Sequence, residues 1–138
     1  MTLYESFLEA VITEYDTLRV LKQSPRGTVS VVRHKKSGTR YVFRRYSGSG
    51  EVYRRLLPVL CPHLPQIMEA AEQDGQTAVL EEYVQGDTLA ELLMGARLTE
   101  REARQVTMQL CQALHVLHSM GAVHRDVKPE NVILRGSD

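Results

Sequence analysis

Eight consecutive residues, His124-Arg125-Asp126-Val127-Lys128-Pro129-Glu130-Asn131, carry the side chains whose types and spacing fit a reaction. A carboxylate, an ammonium two positions on and a carboxamide three beyond that are what moving a phosphoryl group requires. They provide a group to orient and deprotonate a hydroxyl, a cation for the migrating phosphate, and an oxygen ligand for a metal ion. Asp126, Lys128 and Asn131 supply these in order. An Asp-x-Lys alone would be an ordinary solvated loop. The full string, delivered from the end of a long amphipathic helix through Gly121-Ala122-Val123, is far more specific.

The element that must hold the string is that helix. Ala103, Val106, Leu110, Ala113, Leu114 and Leu117 form one apolar stripe, opened by a Thr99/Glu102 capping box and closed at Gly121. Before it, Thr88 with Glu91 opens a shorter helix that Gly95 ends. Upstream of Gly86 the period is that of strands. Leu18 and Val20 lead into a Ser24-Pro25-Arg26-Gly27 turn, and Val29, Val31 and Val32 return from it. A second turn at Lys36-Ser37-Gly38 leads to a third strand over 40–45, where Tyr41 and Phe43 alternate with Val42 and Arg44. Ser47-Gly48-Ser49-Gly50 is a flexible break, and residues 51–57 make barely two helical turns before Pro58. Residues 61–65 form a proline-punctuated loop, and 67–71 and 77–84 are two more strands about an Asp74-Gly75 turn. Leu3, Phe7, Leu8, Val11 and Ile12 give a leading amphipathic helix that packs on the domain.

The fold class that follows is α+β: a five-stranded antiparallel sheet with one short helix, then a hinge and helices of a second lobe. The expected divisions are 1–14 for the leading helix, 15–85 for the strand-rich lobe and 86–138 for the start of the helical lobe. There are no internal repeats.

Composition narrows the partners. The chain has 138 residues, 43% hydrophobic and 25% charged, which suits one globular domain. Its 17 basic and 17 acidic residues cancel, so no global field favours nucleic acid or an anionic membrane, and any phosphate recognition must be local. Cys61 and Cys111 lack metal-ligand spacing and read as buried thiols of a reducing compartment. His115 and His118 stand three apart without a third ligand nearby. No apolar run approaches the roughly 20 residues that span a bilayer. Glu5 and Glu9 make the N-terminus unlike a signal peptide. The chain therefore reads as cytoplasmic, with any membrane anchor lying beyond Asp138.

From Tyr15 onward the chain resembles Hanks-type protein kinases of the bacterial serine/threonine class. The resemblance rests on HRDVKPEN and on Leu80-Glu81-Glu82-Tyr83-Val84-Gln85-Gly86, which is similar to the family's adenine-holding strand and linker. The Lys-Pro-Glu-Asn ending favours serine/threonine over tyrosine kinases, and its Lys argues against antibiotic and choline phosphotransferases. The resemblance implies a protein-kinase-like fold and ATP-dependent phosphoryl transfer to a protein substrate with Mg²⁺. It implies that Asp126 orients the substrate hydroxyl, Lys128 steadies the γ-phosphate and Asn131 binds Mg²⁺. Backbone groups at Glu82 and Val84 would meet the adenine edge, with Leu21, Val29 and Val42 around the ring.

The remaining phosphate machinery departs from the family. Its Gly-x-Gly-x-x-Gly aligns with Lys22-Gln23-Ser24-Pro25-Arg26-Gly27, so only Gly27 survives, and Pro25 lacks an amide. The strand-three lysine aligns with Arg44, a planar fork instead of a point charge, whose implied partner is Glu51 on the short helix. Glu81 takes the gatekeeper position, where a carboxylate needs a partner or carries a desolvation cost. Two readings follow: a serine/threonine kinase, or a pseudokinase serving as a nucleotide-binding or scaffolding module.

The family places an Asp-Phe-Gly metal ligand, an activation loop and substrate-binding helices after the position of Asn131. Lacking them, the chain as given is expected to transfer no phosphoryl group; radiolabelled ATP turnover abolished by Asp126→Asn would overturn that. The open stripe from Ala103 to Leu117 is expected to pair in a homodimer. Light scattering that found a monomer across concentrations would count against the dimer.

Overall fold

The computed structural model describes residues 1–122 and 131–135. Among these the elements run α1 (Leu3–Glu14), β1 (Tyr15–Ser24), β2 (Gly27–His34), β3 (Arg40–Ser47), α2 (Glu51–Leu56), β4 (Ile67–Gln73), β5 (Gln76–Glu82), β6 (Gly86–Thr88), α3 (Leu89–Gly95), α4 (Glu100–Ser119) and β7 (Ile133–Arg135). They gather into two units: Met1–Leu60 with Pro65–Tyr83, and Cys61–Leu64 with the described residues from Val84 onward.

The first unit is the expected five-stranded antiparallel sheet, in the order β1-β2-β3-β5-β4. Opposed residues share a face, so the register sorts its side chains. Ser30, Val32, Tyr41, Phe43, Ala78 and Leu80 lie on one face, and Val29, Val31, Val42, Arg44, Val79 and Glu81 on the other. Helix α1 covers the first face: Tyr4, Phe7 and Val11, at helical spacing, join Val32, Phe43, Ala78 and Leu80 in one core cluster. Phe7 and Phe43 meet edge to face with centroids 5.8 Å apart. Thr2 starts this helix by accepting the Glu5 N–H at 3.1 Å.

The connection from β3 into α2 is short and tied at both ends. The fully buried Thr77 hydroxyl donates to the Gly48 carbonyl at 2.6 Å, and the Gly50 N–H donates to Glu72 at 2.9 Å. Helix α2 then packs on the Arg44 face through Tyr53, whose ring lies 6.1 Å from that of Tyr46. Strand β5 stops at Glu82, two residues earlier than the pattern of apolar residues suggested, and leaves Val84 outside the sheet.

The second unit carries both expected capping boxes. Thr88 and Glu91 exchange hydrogen bonds at 3.1 Å each, and Thr99 and Glu102 do so at 2.9 and 3.1 Å. The Thr88 and Thr99 backbone amides hold the Glu91 and Glu102 carboxyls below their ordinary range. The caps therefore act fully above the ordinary carboxylate pKa and fade as the pH falls through the depressed one. On α4, Ala113 and Leu117 are buried, Val106, Leu110 and Leu114 half-buried, and Ala103 exposed. Cys61 is half-buried but Cys111 is exposed, contrary to the expectation of two buried thiols. One residue past Leu110, Cys111 is rotated about 100° off the apolar stripe.

Gly121, at φ 78°, ends the helix in the left-handed conformation, and the Ala122 N–H folds back onto the Leu117 carbonyl at 2.9 Å. The pairing of β6 with β7 had no sequence signal. Its strands are three residues each, and the Leu89 N–H donating to the Val132 carbonyl at 2.7 Å extends the tie. Among the described residues no helix is long and apolar enough to cross a membrane.

Phe43 is 8% exposed at the centre of the α1 contact. Phe43→Ala should cost about 3–4 kcal/mol in urea unfolding, with an unchanged slope; a cost below about 1 kcal/mol would show that α1 does not seal this face.

Candidate functional site

Three strands converge on one charged pair. Val29 lies opposite Arg44, Val42 opposite Glu81, and Arg44 opposite Val79. Arg44 and Glu81 are therefore diagonal neighbours on one face of adjacent strands. Arg44 Nε donates to Glu81 Oε1 at 2.8 Å, and an Arg44 Nη reaches the same oxygen at 2.7 Å. The Glu81 side chain is 7% exposed and that of Arg44 36%.

Burial pulls against the Arg44 charge, but the charge and hydrogen bond of Glu81, assisted by Tyr53 and Tyr46, outweigh it and raise the guanidinium pKa. Burial also raises Tyr53; Arg44 works against that rise and Glu81 adds to it, so the phenol stays protonated. An arginine has five N–H donors in a planar fork, and Glu81 occupies two of those of Arg44. The remaining donors belong to a side chain that is 36% exposed, a cation suited to an anion.

The partner expected from the family pattern was Glu51, and the structure pairs Arg44 otherwise. Glu51 accepts from Arg55, one turn along α2, at 2.6 Å. As the first residue of a six-residue helix, Glu51 is satisfied locally. Glu81, buried at a central position of the sheet, has a stronger need for a cation. The sequence signal was the oddity of a carboxylate at position 81, but its partner follows only once the β3–β5 register is known.

The surviving glycine of the β1–β2 turn serves the sheet. A Cβ on Gly27 would stand 2.0 Å from the Arg45 carbonyl oxygen, because β3 passes directly over it. The Arg26 N–H is taken by Ser24 Oγ at 3.3 Å and Pro25 has none, so these two positions offer an anion no free amide. Leu21 lies at a register shift between Val20 and Lys22 and is exposed. Val29 is half-buried and Val42 buried beside the ion pair.

The Glu82 N–H is spent on the Gln66 carbonyl at 2.8 Å, and its carboxylate accepts the Gln66 N–H at 3.0 Å. Val84 is half-buried past the end of β5. Asn131 is exposed. Asp126 and Lys128 lie outside the described residues, as does the rest of the string from His124 to Glu130. Among the described residues no three His, Cys, Asp or Glu side chains gather as metal ligands, so Asn131 is the sole described residue of the expected metal position.

Among the described residues, open grooves also lie within the second unit. One of about 740 Å³ borders Thr99, Arg104 and Met108; another of about 430 Å³ runs between Cys61-Pro62-His63 and Cys111, His115 and Val116. Neither includes a residue read as nucleotide-binding.

Comparison with known proteins gives one family. The sequence model described as protein kinase domain matches residues 26–138. Rho-associated protein kinase 1 of Homo sapiens is 29% identical over 132 residues, 88% of this chain and 10% of that protein. Serine/threonine-protein kinase D of Synechocystis is 36% identical over 75 residues, 54% of this chain and 14% of its own length. The Rho-associated protein kinase of Caenorhabditis briggsae is 25% identical over 151 residues, 97% of this chain and 13% of its own length. The chain thus spans about a tenth of the length of the Rho-associated relatives.

A double-mutant cycle on Arg44→Met and Glu81→Gln should give a coupling of about 1–3 kcal/mol in chemical unfolding. The same cycle on Arg44 and Glu51 should give near zero, and the reverse ranking would contradict the pairing.

Proposed function

This chain belongs to the protein kinase domain family, and we propose that the protein it represents is a Hanks-type serine/threonine kinase of the bacterial class, using ATP and Mg²⁺ to phosphorylate a protein hydroxyl. The observation that carries the reading is the complete Asp126, Lys128 and Asn131 set within the family match. The serine/threonine kinase of Synechocystis among the relatives supports the substrate class.

In this reading Asp126 orients the substrate hydroxyl and takes its proton as the oxygen attacks the γ-phosphorus and the bond to the β-phosphate oxygen breaks. Lys128 places its ammonium against the transferring group, where charge accumulates. Asn131 offers its carboxamide oxygen to the metal. Bound Mg²⁺ supplies the neutralisation of the phosphate oxygens. Val29 and Val42 provide apolar surface for the nucleobase, with Leu21 at the outer edge, and Arg44 provides a cation to the inner phosphates. Glu82 and Val84 contribute backbone groups to the base edge, Glu82 through its carbonyl. Glu51 has no contact with Arg44 and belongs to α2's own stabilisation.

One observation favours the second reading, a pseudokinase that binds nucleotide or scaffolds without transfer. The turn that in the family cradles phosphates has Pro25 and an Arg26 amide already bonded to Ser24. The two readings separate on binding and turnover.

MgATP should raise the thermal midpoint of the protein, by the equivalent of about 2.7 kcal/mol at a hundredfold excess over Kd. Asp126→Asn should keep that shift and abolish turnover. A shift without turnover by the wild-type protein carrying its whole kinase domain would favour the pseudokinase; no shift would refute nucleotide binding.

A further inference from the structure

We infer that Glu81 is the positioning residue for Arg44, and that this carboxylate on β5, not one on the short helix, aims the guanidinium at the phosphates of a nucleotide. The inference rests on the kinase reading and deepens it, because it changes which element prepares the phosphate cation.

The geometry is specific. The two contacts from Arg44, through Nε and through Nη, converge on one oxygen of Glu81, at 2.8 and 2.7 Å. That engages one edge of the planar fork and fixes its plane. The Glu81 side chain is almost wholly enclosed while that of Arg44 is about one third exposed, so the enclosed partner holds and the more exposed one presents.

The supports of Glu81 are rigid. It follows Ala78, Val79 and Leu80, which are 0%, 0% and 5% exposed, on a strand hydrogen-bonded on both sides. Glu51 sits on a six-residue helix without buried residues, and its own charge goes to Arg55. A displacement of α2 would therefore leave the Arg44–Glu81 contact standing. The β1–β2 turn adds weight to this cation, because Pro25 and Arg26 offer an anion no free backbone amide. Arginine suits the task better than lysine: one edge can hold the carboxylate while the rest engages phosphate, whereas an ammonium would serve both from one point.

The readout is phosphate-specific affinity. Calorimetric titration of the 138-residue chain with MgADP and with adenosine gives the preference that the phosphates confer. Arg44→Met should abolish the preference, and Glu81→Gln, which keeps the shape and removes the charge, should reduce it on the order of tenfold through MgADP alone. Glu81→Asp, which keeps the charge on a shorter arm, should fall between Gln and wild type. Glu72→Gln, which breaks the separate Arg54 pair, should leave the preference unchanged. Far-UV circular dichroism confirms that each variant is folded.

If Glu81→Gln stays within about twofold of wild type while Arg44→Met loses the preference, Glu81 is not the positioning residue and the kinase reading stands. If Arg44→Met keeps the preference, the phosphate role of Arg44 is overturned. Absence of any wild-type MgADP binding would sink the nucleotide reading itself. The inference is then judged with tripolyphosphate as probe: binding lost in both Arg44→Met and Glu81→Gln sustains it for a polyphosphate anion, and binding indifferent to them, or none, overturns it.

Discussion

Enclosing a carboxylate as deeply as Glu81 costs solvation that a cation beside it offsets, and in this fold that requirement reaches well beyond one pair. Arg44 can meet Glu81 only if β3 and β5 are in the observed register, with Val42 opposite Glu81 and Arg44 opposite Val79. A slip of one residue would turn Arg44 toward α1, into the cluster of Phe7, Val11 and Phe43, and turn Phe43 out of it. The apolar alternation and the buried charge therefore demand the same alignment. Each would be costly to break, and together they exclude neighbouring registers more firmly than packing alone.

The two faces of the sheet have different tasks. Helix α1 covers one face with apolar side chains, Phe7 set edge-on to Phe43. The opposite face keeps a charged pair and the Tyr46–Tyr53 contact, where burial favours neutral phenols and sharpens the attraction between Arg44 and Glu81. Gly27 links this face to the β1–β2 turn: the β3 backbone lies so close that any side chain would displace it, and the turn's amides are used for holding shape. In the proposed kinase reading, phosphate recognition rests less on loop amides and more on a side chain held by the sheet.

The second unit shows a different source of order. Its helices begin where two threonine caps place them, and α4 stops where Gly121 takes a left-handed conformation, all local effects. The pairing of Gly86–Thr88 with Ile133–Arg135 is the opposite case, a contact between segments distant in the chain. It ties the start of α3 to the stretch following the HRDVKPEN string.

Much of the chain was legible from the sequence, for local reasons. Period-two runs, turn residues and capping boxes act within a few positions, so the five strands, the four helices and both caps could be placed to within a residue or two at most ends. The string HRDVKPEN and the oddity of Glu81 were likewise visible as residue types. What sequence could not decide was which distant groups meet: that Glu81 takes Arg44 and leaves Glu51 to Arg55, that Gly27 is needed by β3, that Cys111 faces outward, and that three residues near Gly86 find a strand partner past Asn131. Composition and spacing determined the elements and the chemistry on offer. Tertiary structure chose the partners, because the depth of burial and the register that set the strength of a charge pair exist only once the sheet has formed.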